Sequence, residues 1–70
     1  MRFLKPINFN YTSATGKKLP GRIIGTGTKQ GVKDATFEVY YNDMIGWKEV
    51  SNLEIKRKIY LKYKKQIEAK

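Results

Sequence analysis

Apolar and polar residues alternate in two stretches of the chain, as they do along half-buried β-strands. The first stretch begins at Lys5 and the second covers residues 36–41. The residues on one side of each extended segment are Ile7, Phe9 and Tyr11 in the first, and Phe37, Val39 and Tyr41 in the second. The pattern therefore predicts two strands that each bury one face.

Two further strands are predicted from β-branched and aromatic residues between turn-forming segments. Residues 22–28 are β-branched but contain Gly25 and Gly27, which indicate a bulge, strong bending or a close backbone approach. Residues 47–50 form a returning strand after a turn at 42–46, where Asn and Asp precede Gly. Residues 12–21 and 29–35 are rich in Gly and polar side chains and are predicted as connections.

The C-terminal segment predicts an amphipathic helix over 55–69. It contains no Gly or Pro, and Ser51 or Asn52 is a suitable N-cap. On a helical wheel the apolar side chains share one arc of about 140°; they are Ile55, Ile59, Tyr60, Tyr63 and Ile67. The opposite arc is basic and is interrupted by Leu61 and Glu68. An apolar stripe packed on the sheet explains this pattern, and a phosphate-binding outer face is the functional interpretation of the same lysines.

Together these elements predict a mainly β fold in a single domain over residues 1–70. Residues 5–54 form a small barrel or a bent antiparallel sheet of four to five strands, and a C-terminal α-helix follows. A chain of this length supports one core, because it buries only about 60% of the surface that the unfolded chain exposes.

Composition restricts the chemistry of the chain. Its 70 residues include no Cys and no His, so disulfides, the usual zinc sites and His- or Cys-based nucleophilic catalysis are excluded. The acidic side chains match no metal-binding loop, and the glycines around Gly25 match neither common phosphate-binding pattern. We therefore expect no enzyme, no metal and no cofactor. No apolar run is long enough to span a bilayer or act as a signal peptide, so we expect a cytoplasmic protein.

The net charge of +9 is unevenly distributed. Residues 1–33 carry seven basic side chains and no acidic one, 34–53 carry four acids against one lysine, and 54–70 carry seven bases against two acids. A basic surface on a small globular protein favours nucleic acid as the partner, bound mainly through phosphates and with little sequence preference. The predicted contacts are Lys17, Lys18, Arg22, Lys29 and Lys33 from the strands and loops, with Arg57, Lys58, Lys62 and Lys65 from the helix.

The region from Leu19 to Ile55 resembles the SH3-like small barrels, in particular Tudor and chromo-barrel modules. The resemblance rests on the segments 20–25, 37–43, 47–50 and 53–55, with sequences PGRIIG, FEVYYND, WKEV and LEI. It implies a ligand site formed by aromatic residues near the loops, and the matching positions are Tyr11, Tyr40, Tyr41 and Trp47.

A second resemblance is to the arm-type DNA-binding domains of some mobile-element integrases, which also have three strands followed by a helix. It implies a sheet that enters the major groove, but it leaves the strand near Ile7 unexplained. The alternative to nucleic acid is a protein partner that docks on an aromatic strand surface. Exposed rings among the lysines favour nucleic acid, and exposed rings near the acidic 34–53 segment favour a protein.

Overall fold

The computed structural model describes residues 2–41 and 46–69 and is mainly β, as predicted. The elements are β1 (Arg2–Thr12), β2 (Lys18–Lys29), β3 (Val32–Tyr40), β4 (Trp47–Glu49), α1 (Leu53–Lys62) and α2 (Lys64–Glu68). The four strands form one antiparallel sheet in the order β1-β2-β3-β4. The sheet is open, so of the two predicted architectures the antiparallel sheet forms and the closed barrel does not.

Strand β2 begins earlier than predicted. Residues 12–21 were expected to be a loop, but β2 starts at Lys18, and Leu19 and Gly21 pair with Tyr11 and Phe9 of β1. Leu19 is buried there, so the apolar contact outweighs the turn-like composition of the segment. Pro20 is tolerated because pairing between β2 and β3 begins only at Gly21, so no hydrogen bond to β3 requires an N–H from the proline.

Strands β2 and β3 are joined by a tight hairpin rather than by the predicted connection over 29–35. Lys29 pairs with Val32, and only Gln30 and Gly31 lie between them. Both have positive φ, at 52° and 76°. Positive φ at both central residues is the condition for a type I′ turn, whose twist matches that of the strands. Strand β3 therefore begins at Val32, four residues before the predicted start.

The predicted irregularity of the glycine-containing strand is confirmed. The register of β2 against β3 shifts between Ile23 and Gly25. A second shift lies in β1 between Arg2 and Ile7, a segment that contains Pro6. Gly21 provides the close approach: a Cβ at this position would lie 2.7 Å from the Phe9 ring.

One face of the sheet packs against the helical segment and forms the core. The buried side chains are Ile7, Phe9, Leu19, Ile23, Ala35, Phe37, Val39, Tyr60 and Ile67. The Phe9 ring lies 5.5 Å from that of Phe37 and 5.2 Å from that of Tyr63, measured between centroids. These contacts confirm the inward faces predicted for the two alternating strands and the apolar arc of the helix.

The helical segment has a predicted N-cap, but it begins at Leu53, two residues before the predicted start, and it is interrupted. Asn52 is the N-cap, and its Oδ1 accepts a hydrogen bond from the Ile55 backbone N–H at 3.1 Å. Tyr63 leaves helical geometry, with φ −111° and ψ 21°, so two short helices replace the single predicted one. The returning strand β4 is present, whereas residues 42–45 of the predicted turn lie outside the described residues.

Candidate functional site

The helix α1 is held against the β2–β3 hairpin by Arg57. Its Nη2 donates a hydrogen bond to the Lys29 backbone carbonyl at 2.9 Å. A guanidinium carries five N–H donors, and this is the one hydrogen bond that Arg57 makes within the described part of the chain. The contact brings the two strongly basic sequence segments, 1–33 and 54–70, together in space.

The space between the hairpin and the helices is a groove of about 430 Å³, which we call the hairpin–helix groove. It is lined by Gly31, Val32, Lys33, Arg57, Tyr60, Leu61, Lys64 and Glu68. Lys33, Arg57 and Lys64 supply its positive charge. Glu68 adds one negative charge 3.8 Å from Lys64, so the groove carries three cations against one carboxylate.

The remaining predicted helix contacts form a second basic stripe beside the groove. Lys58, Lys62 and Lys65 are exposed and follow one another at three- and four-residue spacing. Lys62 Nζ lies 5.7 Å from the centroid of the Tyr63 ring. Lys58 is about 100° around α1 from Arg57, and none of the three lysines lines the groove, so the stripe extends its positive surface from beside it.

The predicted loop contacts do not share one location. Lys29 and Lys33 flank the β2–β3 hairpin, whereas Lys17 and Lys18 flank the β1–β2 hairpin at the other end of β2. Strand β2 has 12 residues, and the longest dimension of the molecule is 34 Å, so the two hairpins lie at opposite ends of the sheet. Lys17 and Lys18 are therefore separate from the groove.

Arg22 is engaged within the protein, on the sheet face opposite the helices. Its Nε donates to Glu38 Oε1 at 2.7 Å, and its guanidinium carbon lies 4.1 Å from the centroid of the Trp47 ring. The Tyr40 and Trp47 rings meet at 5.4 Å in an edge-to-face arrangement. We call this side of the sheet the open face. Glu38 of β3 and Glu49 of β4 occupy directly opposite positions on it.

The four predicted aromatic contacts do not form one cluster. Tyr40 and Trp47 lie on the open face, whereas Tyr11 and Tyr41 pack against the core on the helix side. The Tyr11 ring lies 5.8 Å from that of Phe37. Burial raises the pKa of the Tyr11 hydroxyl above its usual value, and Tyr41 adds to this shift. Tyr11 and Tyr41 are therefore part of the packing. The two surface rings lie near Arg22 and beside Glu38 and Glu49 of the acidic 34–53 segment, the placement that the sequence analysis associates with a protein partner.

The sequence analysis omitted two helix lysines, Lys64, which lines the groove, and Lys56, which does not. Lys64 is the first residue of α2 and follows Arg57 by seven residues, which is the spacing of one face in the single helix that the sequence predicted, so the pattern could have identified it. Lys56 instead makes a structural ion pair: its Nζ lies 3.5 Å from Oδ1 of Asp34, which is 2% exposed. No sequence pattern pairs these two residues, because the contact depends on how the helix docks on β3.

The described ranges, 2–41 and 46–69, contain no group of three or more metal-ligating side chains. Within the same ranges, no helix has the length and apolar character needed to cross a bilayer. No protein-family model, curated protein or solved structure significantly matches the chain.

Proposed function

We propose that this protein binds nucleic acid through the phosphate backbone, and that the hairpin–helix groove is the main contact. The observation that carries the proposal is the Arg57–Lys29 hydrogen bond, which places cations from both basic segments around one groove. Phosphates are the ligands that such a cluster of lysines and an incompletely bonded guanidinium attract most strongly. Lys58, Lys62 and Lys65 extend this surface along the outer side of the helices.

The acidic side chains support this location for the contact. Asp34 is neutralised by Lys56, and Glu38 is paired with Arg22 on the opposite side of the sheet. Two of the carboxylates are therefore compensated, and Glu68 is the one acid that lines the groove, against the three cations Lys33, Arg57 and Lys64.

The test compares two double variants of equal net charge. Lys33→Gln with Lys64→Gln removes two groove cations, and Lys5→Gln with Lys48→Gln removes two exposed lysines that do not line the groove. We expect the groove variant to bind a fluorescent 20-base-pair duplex at least ten-fold more weakly at 50 mM salt. Each phosphate contact contributes about −0.9 to the slope of log K against log salt concentration, so this slope should flatten by about 2.

The control variant should retain an affinity and a salt slope close to those of the parent protein. Equal losses of affinity in both variants would show that binding depends on the net charge of the protein and not on the groove. Absence of binding by the parent protein at 50 mM salt would refute the proposal. Circular dichroism of each variant verifies that the fold is intact.

A protein partner is the second candidate, because the same groove exposes apolar side chains. Val32 is 47% exposed and Leu61 is 70% exposed, and both line the groove beside its cations. An acidic segment with apolar residues would satisfy both features. Leu61→Gln separates the candidates: it leaves duplex affinity unchanged if the ligand is a phosphate backbone, and it weakens capture of an acidic, apolar-containing peptide if the ligand is a protein.

A further inference from the structure

The open face of the sheet carries a second surface feature, formed around the only tryptophan of the chain. Trp47 lies in the edge strand β4 and is 37% exposed. Arg22, from the second strand of the sheet, lies over its ring, and Tyr40 meets it edge to face. The Glu38 carboxylate holds the Arg22 guanidinium in turn. The indole is therefore held by side chains from β2 and β3.

The exposed part of Trp47 borders a groove of about 440 Å³, which we call the sheet slot. Its walls are formed by Asn8, Phe9, Asn10, Pro20, Gly21 and Trp47. Asn8 and Asn10 alternate with the buried Phe9, so their side chains share the open face of β1. The slot thus combines a held aromatic ring and a proline with two side-chain amides.

This combination matches the chemistry of an unpaired nucleobase. A base has a flat face that stacks on an indole and an edge of donors and acceptors that amides can bind. Bases inside a duplex present no free face, whereas bases of single strands do. Lys18 lies two residues before Pro20 in β2, on the same face and about 7 Å away along the strand. It is placed to contact a phosphate next to a base held in the slot.

We propose that the sheet slot binds one unpaired nucleobase and gives the protein a preference for single-stranded nucleic acid. This inference rests on the proposed function, because binding of a polyanion elsewhere on the surface is what brings bases to the slot. It assigns a function to Lys18, Tyr40 and Trp47, which do not line the hairpin–helix groove. The Asn8 and Asn10 amides, which match the edge of a base, and Lys18, which is placed to contact the adjoining phosphate, favour a nucleobase over a proline-rich peptide, which also binds exposed aromatic rings.

The experiment uses two oligonucleotides with the same number of phosphates and the emission of Trp47 as a local probe. One is a 12-nucleotide oligodeoxyadenylate, and the other is its fully abasic equivalent. We expect oligodeoxyadenylate to bind about five-fold to a hundred-fold more tightly, the range for one stacked base. It should also change the Trp47 emission, whereas the abasic strand should bind without changing it.

Two variants test the slot, and a third serves as the matched control. Trp47→Ala, and independently Asn8→Ala with Asn10→Ala, should lower the affinity ratio of the two strands toward one while leaving abasic binding intact. The asparagine pair is exposed, so it tests the slot even where the loss of Trp47 affects folding. Lys33→Gln with Lys64→Gln should weaken the binding of both strands and leave their ratio unchanged.

The possible failures are distinguishable. If both strands bind equally and the emission of Trp47 does not change, the slot inference is wrong and the proposed function stands. If neither strand nor duplex binds at low salt, the proposed function fails as well. If a proline-rich peptide changes the emission of Trp47 and oligodeoxyadenylate does not, the slot is a peptide site.

Discussion

Phe9 and Gly21 face each other across β1 and β2, and the absence of a side chain at Gly21 leaves the space that the Phe9 ring fills. The Phe9 ring occupies the position where a side chain at residue 21 would begin. The same ring packs on Phe37 and Tyr63, so it joins two strands to the end of α1. A larger residue at position 21 therefore has to displace a ring that the core holds from two other directions.

Gly21→Ala is expected to destabilise the fold by about 1–3 kcal/mol, the cost of overpacking a close-packed interior. Urea unfolding measures this change in the free energy of unfolding. If the clash with the ring is the cause, Gly21→Ala should cost at least about 0.5 kcal/mol less in a Phe9→Leu background, because residues in contact are energetically coupled. Equal costs in both backgrounds would contradict this explanation.

The sequence predicted that β2 contains glycines at an irregular or closely packed position, but it did not predict which glycine has which role. Gly25 and Gly27 indicated a bulge, and the register does shift at Ile24. The close contact, however, occurs at Gly21, which had been assigned to a loop. Which glycine opposes a large ring depends on the strand register, and register is set by pairing with a partner strand rather than by the local sequence.

At the level of elements, the β2–β3 hairpin places Lys29 and Lys33 beside the helix. Its two-residue turn requires positive φ at both positions, which glycine adopts without cost at residue 31. Gln30 adopts φ 52°, a region that is unfavourable for most residues and that Asn tolerates better. The turn therefore combines a glycine, which adopts positive φ readily, with a glutamine, which does not.

Gln30→Asn is expected to stabilise the protein by about 0.5–1 kcal/mol, because Asn adopts the left-handed conformation more readily. For a domain of this size the midpoint of thermal unfolding should rise by about 2–6 °C. The matched control is Gln66→Asn, the same chemical change in helix α2, which should lower stability by about 0.3 kcal/mol through helix propensity. Stabilisation by both substitutions, or by neither, would rule out turn conformation as the cause.

The elements with clear periodicity were predictable, and the connections were not. Alternation placed Ile7, Phe9, Phe37 and Val39 in the core, where all four are found. Polar composition wrongly extended both connections, since Lys18 and Lys33 lie in paired strands. The interruption at Tyr63 has no sequence signal, because neither Gly nor Pro is present; the Tyr63 ring packs on Phe9 at this position.

At the scale of the whole molecule, the dominant property is an excess of positive charge that few internal ion pairs offset. The described residues contain three ion pairs, and the chain has 15 basic and 6 acidic side chains. Folding brings this charge into a smaller volume, so electrostatic repulsion opposes the compact state. The location of the candidate groove could not be predicted at this scale, because Arg57 and Lys29 are brought together only by helix docking.

Added salt is therefore expected to stabilise the ligand-free protein. Raising the sodium chloride concentration from 50 to 500 mM should increase the thermal unfolding midpoint by several degrees, since screening shortens the range of repulsion. The comparison variant is Lys58→Glu with Lys62→Glu, which lowers the net charge from +9 to +5 at two exposed helix positions. Its midpoint should rise less. A rise of the same size in both proteins would attribute the effect to general salting-out instead.

The register shift in β1 also affects how the molecule behaves toward its own copies. β1 is an outer strand of an open sheet, and such an edge is a template for intermolecular strand pairing and aggregation. The shifted segment between Arg2 and Ile7 contains Lys5 and Pro6, and proline has no N–H to donate to an added strand. The irregularity thus interrupts the hydrogen-bonding edge of β1. It opposes the pairing of this edge with another copy of the chain, which an open sheet would otherwise allow.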